Sequence, residues 1–160
     1  MSTKIDIQAQ SDRELAICRL LDIPVEKAYR AWTDPKLFPE WFAPKPWTVS
    51  EAKLDVRTGG HTFVMMEGPE GQEMPCPGVY LEVIPNQKIV FTDAFVKAWE
   101  PSTNPFMVAT ITFEDQGGKT KYTARVRHWS KEACEQHRQM GFLEGWALCA
   151  EQLETLMKKL

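Results

Sequence analysis

The residue of this chain whose chemistry is easiest to interpret is His128, near the end of a segment with β-strand periodicity. In the stretch 120–129, apolar and polar residues alternate up to His128, so strand alternation directs its imidazole inward. An inward imidazole can fix a ligand oxygen or act as a general base. A buried histidine bonded to a carboxylate or a backbone carbonyl would show the same pattern, and the sequence leaves both interpretations open.

Three further polar residues are expected on the same surface. Tyr80 and Glu82 share one face of their strand, and Asp93 shares a face with Phe91. Together with His128 they would form a polar strip in an apolar pocket. Because a buried carboxylate needs a partner, this strip is either hydrogen-bonded internally or directed at a ligand. If the chain catalyses a reaction, His128, Tyr80 and Glu82 are the candidate catalytic residues.

Aromatic residues supply the apolar candidates. The segment 32–47, WTDPKLFPEWFAPKPW, contains five aromatic residues and four prolines, which is typical of a rigid wall rather than a long helix or strand. Gly145 lies beside an apolar helical stripe and leaves a groove that another group must fill. Such aromatic residues are often simply core, so a pocket wall and core packing remain alternatives. The ligand-binding candidates are Trp41, Phe63, Met65, Tyr80, Phe91, Asp93, His128, Phe142, Gly145 and Trp146.

Metal and cofactor chemistry find no support in the residue spacing. His61 and His137 lie on different predicted elements, and the sequence has no CxxC pair or histidine–carboxylate spacing typical of a metal site. The Gly59-Gly60 pair is interpreted as a hairpin turn, since no phosphate-binding motif surrounds it. The sequence therefore predicts no metal and no cofactor, and the 4 cysteines are expected to be reduced.

Composition argues against several classes of partner. The formal charge of -3 is spread over scattered residues, with no basic cluster of the kind that binds nucleic acid. No apolar run approaches the roughly 20 residues of a membrane-spanning helix, and the first residues do not resemble a signal peptide. We therefore predict a cytoplasmic protein without nucleic-acid or membrane partners. Its 160 residues fit one domain, residues 13–160, after a flexible segment of residues 1–12.

The hydrophobic periodicity predicts an order of strand, helices, sheet and helix. A strand over Glu14–Asp22 precedes a helix over Val25–Trp32 and a short helix over Pro35–Trp41. Residues 130–160 carry one continuous apolar stripe and are predicted to form a single long helix. Between them, period-two segments predict six antiparallel strands, at Trp47–Val56, His61–Glu67, Val79–Ile84, Lys88–Phe95, Met107–Phe113 and Thr120–Trp129.

This order predicts an α+β fold in which a curved antiparallel sheet of six to seven strands wraps around the long C-terminal helix. A sheet bent in this way leaves room for a cavity between its inner face and the helix. Two long connections, GPEGQEMPCPG over residues 68–78 and VKAWEPSTNPF over residues 96–106, are expected either to gate that cavity or to pack on the surface.

Five segments, in order, also resemble a known family. They are VEKAYRAWTDPKLFPEWF, WTVSEAKLDVRTGGHTFVM, PGVYLEVIPNQKIVFT, ATITFEDQGGKTKYTARVRHW and EQHRQMGFLEGWALCAEQLETLM. From Arg13 to Leu160 the chain resembles the START-like (SRPBCC) superfamily, in the AHSA-type branch named after the C-terminal domain of the activator of the 90-kDa heat-shock protein ATPase. The resemblance implies a helix-grip (START-like, Bet v-like) fold with a hydrophobic cavity. Members of the superfamily bind lipids, hormones or polyketides, a few catalyse cyclisation or dehydration, and the namesake domain contacts a chaperone.

These observations favour binding of an apolar or aromatic small molecule between the sheet and the C-terminal helix. A cyclase- or dehydratase-like lyase that uses His128 as acid or base is one alternative. A protein-interaction domain resembling the chaperone activator is another, and we expect it to be the weaker one because this sequence has no counterpart of the eukaryotic activator's N-terminal domain. A homodimer is left open.

Overall fold

The segments with alternating apolar and polar residues form one antiparallel sheet. The computed structural model describes residues 2–160. Its strands are β1 Thr3–Lys4, β2 Glu14–Leu21, β3 Thr48–Leu54, β4 His61–Glu67, β5 Glu73–Ile84, β6 Lys88–Thr92, β7 Phe95–Lys97, β8 Glu100–Pro101, β9 Met107–Gln116 and β10 Lys119–His128. Eight of them pair in the order β1-β2-β10-β9-β6-β5-β4-β3, and β7 with β8 forms a separate hairpin. The predicted α+β class and helix-grip architecture are confirmed.

The eighth strand, β1, comes from the N-terminal segment that was predicted to be flexible. Thr3 pairs with Leu20 on β2, and the Ile5 N–H donates to the Cys18 carbonyl at 3.0 Å. A two-residue strand is too short to show a period of its own. Its pairing depends on the unpaired edge of β2. Residues 1–12 themselves carry no pattern that indicates this pairing.

The helices between β2 and β3 follow the prediction only in part. Helix α1 covers Val25–Thr33, as the apolar spacing indicates. The predicted helix over Pro35–Trp41 is instead a turn followed by a single 3-10 turn at Phe38–Glu40. Two prolines within five residues limit the backbone hydrogen bonds that a longer helix would need.

The C-terminal region is not the single long helix that its apolar stripe predicts. Helix α2 covers Lys131–Gln139 and helix α3 covers Phe142–Lys158. Between them Gly141 has φ 92° and ψ 31°, in the left-handed region that glycine adopts without a steric cost. The apolar periodicity continues across this break because both helices face the same core, so the stripe alone could not reveal it.

The core lies between the sheet and the helices. Helix α3 packs against β2 and α1, and it buries Phe142, Ala150, Leu153 and Met157 almost completely. The opposing sheet face is formed by alternate residues of β2, β6, β9 and β10, each at most 5% exposed: Leu15, Ile17, Ile89, Ala109, Ile111, Phe113, Tyr122, Ala124 and Val126. Burial of a large aliphatic side chain of this kind contributes about 1.5–3 kcal/mol.

The two connections predicted as loops are more regular than expected. Residues 73–78 of the first form the start of β5, where Pro75 and Pro77 lie opposite Met65 and Phe63 of β4. Pairing with β6 begins only at Val79, so this part of β5 is an edge, where proline does not interrupt a ladder on both sides. The second connection contains the hairpin of β7 and β8, which packs against β5.

Candidate binding site

An aromatic cluster centred on Trp32 lies where α1, the proline-rich segment, β6 and α3 meet. Trp32 is 3% exposed. Five other rings surround it, and their centroids lie 5.2–6.5 Å from its own: Phe38, Trp41, Phe42, Phe91 and Trp146. These six residues are called the Trp32 cluster below. The indole N–H of Trp32 donates to the Tyr122 hydroxyl at 3.0 Å, so burial leaves this donor satisfied.

One side of the Trp32 cluster remains partly open to solvent. Trp32, Phe38 and Trp41 are each at most 3% exposed, whereas Phe42, Phe91 and Trp146 are only partly buried. Those three come from the loop after the 3-10 turn, from the sheet and from α3 respectively. The three partly buried rings therefore belong to elements that flank the predicted ligand site between the sheet and the C-terminal helix.

The proline-rich segment is held against α3 by one glutamine and one glycine. The Gln152 side-chain amide donates to the carbonyls of Trp41 and Ala43, both at 2.8 Å. Next to it, a Cβ added at Gly145 would lie 3.7 Å from Cγ of Pro44, an ordinary contact distance. Pro44 therefore occupies the groove that Gly145 leaves on the helix surface.

Two of the predicted binding residues lie on the wrong face of the sheet. Val64 and Met66 of β4 pack in or against the core, so Phe63 and Met65, one residue out of phase, face away from α3. The period-two pattern of β4 is apolar on both faces, which removes the signal that normally assigns the inner face.

The predicted polar strip is divided between the two faces. Tyr80 lies directly opposite Phe91 on the inner face and is 4% exposed. Glu82 faces the other way, because a bulge after Tyr80 shifts the register, and it forms an ion pair with Lys88 at 3.0 Å. Asp93 accepts hydrogen bonds at one oxygen from the backbone N–H groups of residues 106 and 107, at 2.9 and 3.0 Å.

His128 is buried and engaged at both ring nitrogens. Its Nδ1 lies 2.9 Å from the Arg13 carbonyl, and its Nε2 lies 2.8 Å from Nδ1 of His137. Because a carbonyl can only accept, neutral His128 carries its proton on Nδ1, and His137 therefore donates from its own Nδ1. The ring also contacts Phe106, with centroids 5.3 Å apart.

The surroundings of His137 favour its neutral form. Burial, and secondarily the neighbouring His128, lower the pKa of His137 from 6.5 to about 4. Phe142 connects the pair to the Trp32 cluster, since its ring contacts His137 at 4.9 Å and stacks on Trp146 at 5.1 Å. Tyr80 is three strands away from β10, about 14 Å at the usual strand spacing, so the two predicted acid–base residues do not converge.

The buried thiol and phenol groups near the core remain protonated. Burial raises the pKa of Tyr80 to about 12 and that of Cys149 to about 12. Burial and the nearby Asp93 carboxylate raise the pKa of the Cys76 thiol. None of these groups has the lowered pKa of an activated nucleophile.

Two of the surface concavities within residues 2–160 lie outside the space between the sheet and α3. One, of about 370 Å³, lies beside α2, and the other, of about 230 Å³, lies beside the end of β10. The region of the predicted cavity contains core side chains such as Trp41, Tyr122 and Leu153, which are at most 2% exposed. Within the same residues no cluster of three or more potential metal ligands is present, and no helix is long and apolar enough to cross a membrane.

The sequence match extends over most of the fold described above. A family model described as "Activator of Hsp90 ATPase homolog 1-like protein" matches residues 22–158. The chain belongs to this family. A comparison with curated proteins found no match. Membership in the Activator of Hsp90 ATPase homolog 1-like family accounts for the START-like sheet and C-terminal helix, and it leaves open whether the fold is used for ligand binding or for activation of a chaperone.

Solved structures of similar proteins agree with this assignment. A protein from Nitrosomonas europaea is 36% identical, with 97% of each chain covered and a TM-score of 0.90. A protein from Mycobacterium smegmatis is 25% identical, with 96% of each chain covered and a TM-score of 0.81. An AHSA1-like protein from Aeromonas hydrophila shares the fold at 16% identity, with a TM-score of 0.72 over 89% of this chain and 93% of its own.

Three residues of the site, Trp32, Phe38 and His137, were not among the candidates read from the sequence. Trp32 and Phe38 lie in the proline-rich segment that was singled out, and the density of aromatic residues there was the available signal. His137 is nine residues after His128 on a different element, so no helical or strand spacing could have joined them. Only the turn from β10 into α2 brings the two imidazoles together.

Proposed function

We propose that the protein binds an apolar, aromatic small molecule against the partly open side of the Trp32 cluster. The observation that carries this proposal is the arrangement of Phe42, Phe91 and Trp146, which come from three elements and all remain partly exposed around one buried indole. Partly exposed aromatic residues converging on one point are typical of ligand sites rather than of a closed core.

The energetics support a ligand of moderate affinity. If a bound ring covers about 150 Å² of apolar surface, burial contributes roughly 4 kcal/mol, and part of this is lost to the cost of association. Tyr80, opposite Phe91, adds a hydroxyl that stays protonated at neutral pH because its pKa is about 12.

The placement of the titratable groups supports binding over acid–base catalysis. His128 uses both ring nitrogens within the fold, and Glu82 lies on the outer face with Lys88. A general acid or base must reach a substrate atom within hydrogen-bond distance. Neither residue offers a free group on the side of the sheet where the Trp32 cluster lies.

The experiment is titration with a neutral fluorescent ring compound, N-phenyl-1-naphthylamine, followed by probe emission and by the NMR signal of the Trp146 indole N–H. We expect saturable binding and a shift of that signal. The Trp146→Ala variant is expected to weaken binding by about tenfold or more, as for a central aromatic contact. The matched control is Trp99→Ala, which removes an exposed indole outside the cluster and is expected to leave the affinity unchanged.

Two outcomes would overturn the proposal. Equal weakening in both tryptophan variants would show non-specific adsorption, and an unshifted Trp146 signal in the unmodified protein would show that the probe binds elsewhere. The second readout needs no variant, so a folding defect in Trp146→Ala does not affect it. Stimulation of an Hsp90 ATPase by this chain, together with no probe binding, would favour the activity named in the family description.

A further inference from the structure

A second candidate site lies outside the Trp32 cluster, beside the end of β10. It is an open concavity of about 230 Å³. It is bordered by residues of the N-terminal segment, β9, β10 and the residue after β10: Ser11, Arg13, Val108, Arg127, His128 and Trp129.

The two guanidinium groups of this concavity differ from the others in the protein. Of its seven arginines, Arg30, Arg57, Arg125 and Arg138 each form an ion pair, and Arg19 donates to a carbonyl. Within residues 2–160 the guanidinium groups of Arg13 and Arg127 have no hydrogen-bond or ion-pair partner. In a protein of net charge -3, both of these arginines line the same concavity.

The two carboxylates that flank Arg13 in the chain each have another partner. Asp12 lies 3.8 Å from the Lys131 ammonium. Glu14, which pairs with Arg127 in the strand ladder, is 1% exposed at its side chain and forms an ion pair with Arg125 at 2.7 Å. Within residues 2–160, the guanidinium groups of Arg13 and Arg127 therefore border the concavity without an ion-pair partner of their own.

The remaining polar groups of the concavity are also free to donate. The Ser11 hydroxyl accepts from the Arg13 backbone N–H at 3.1 Å, and its own proton remains available. The Trp129 side chain is 49% exposed, and its indole N–H has no partner within residues 2–160. His128 contributes only its ring, since both nitrogens are engaged. Several free donor groups on one surface are complementary to an anion.

We propose that this concavity binds a small aromatic carboxylate. The carboxylate would accept paired hydrogen bonds from the Arg13 and Arg127 guanidinium groups, whose planar geometry matches its two oxygens. The ring would lie against the Trp129 indole and Val108. A volume of about 230 Å³ is below the usual range for drug-sized ligands, so the site suits a single-ring compound. This site is independent of the one proposed at the Trp32 cluster.

The test is a titration of the full chain with sodium benzoate at low ionic strength, followed by NMR signals of the Trp129 indole N–H and the arginine Nε–H groups. We expect these signals to shift together with one saturable affinity. Arg13→Gln and Arg127→Gln are each expected to weaken binding by about tenfold, as for loss of a charged hydrogen bond. Arg57→Gln, which removes the same charge from an arginine paired with Asp55, is the matched control and is expected to have no effect.

Two further ligands test separately whether the charge and the ring of the ligand are required. Benzamide keeps the ring without the charge, and inorganic phosphate keeps an anion without the ring, so both are expected to bind at least about tenfold more weakly than benzoate. Unchanged benzoate affinity in both arginine variants would overturn the proposal, as would equal affinity for benzamide or for phosphate. Benzoate shifts at Trp146 in place of Trp129 would likewise overturn it.

Discussion

At the scale of single residues, several buried polar side chains are hydrogen-bonded to backbone carbonyls within the core. Trp41 donates its indole N–H to the Ala31 carbonyl at 2.9 Å, and Thr120 donates its hydroxyl to the Ile23 carbonyl at 2.7 Å. The same rule explains His128, whose inward direction the strand alternation predicted correctly. Its partners are a carbonyl and a second histidine, so the interpretation as a buried, hydrogen-bonded histidine describes its environment.

The buried histidine pair leads to a prediction about acid stability. Because the pKa of His137 is about 4 in the folded protein, below the ordinary histidine pKa of 6.5 that applies in the unfolded chain, the unfolded chain binds more protons between these two pH values. The free energy of unfolding is therefore expected to fall as the pH drops from 6.5 to 4 and to lose no more from this residue below pH 4. Partial solvent screening reduces the effect to about 1–2 kcal/mol.

Urea unfolding at several pH values, compared between the unmodified protein and His137→Asn, measures this contribution. Asparagine keeps an N–H donor near Nδ1 but does not titrate. The pH dependence of the variant is expected to be flatter between pH 6.5 and 4, where the shift applies. An identical pH dependence would show that other groups cause the acid sensitivity.

At the scale of elements, two glycines four residues apart have opposite roles. Gly141 separates α2 from α3 with a positive φ, while Gly145 lies within α3, where an added Cβ would lie 3.7 Å from Pro44. The apolar stripe of residues 130–160 predicts that both glycines lie within one helix. The difference arises because Gly141 adopts a left-handed conformation that ends α2, and the apolar stripe does not show which glycine does so.

These two positions give a paired prediction. Gly145→Ala is expected to raise the free energy of unfolding by about 0.5–1 kcal/mol, since alanine is the better helix former and its Cβ meets Pro44 at an ordinary 3.7 Å. Gly141→Ala is expected to lower it by about 1–2 kcal/mol, because φ is 92° there. Chemical denaturation measures both. Equal effects at the two positions would contradict the break between α2 and α3.

At the scale of the whole molecule, the N-terminal segment connects the sheet edge to the last helix. Ser2 hydrogen-bonds to Glu151 of α3, β1 pairs with β2, and Arg125 donates to the Gln8 carbonyl at 3.1 Å. Deletion of residues 2–8 is therefore expected to lower the free energy of unfolding by about 1–3 kcal/mol without changing the fold. Urea unfolding measures the change in the free energy of unfolding, and circular dichroism shows whether the fold is unchanged. An unchanged stability would instead agree with the flexible segment that the sequence predicts.

The sequence by itself determined the α+β class, the approximate positions of the main strands, helix α1 and the inward direction of His128, because these follow from periods of 2 and 3.6 residues. Only the tertiary structure decided which face carries Phe63 and Glu82, where the C-terminal helix breaks, and which residues converge around Trp32. A bulge, a left-handed glycine and contacts between distant segments determine these features, and none of them changes the local hydrophobic period.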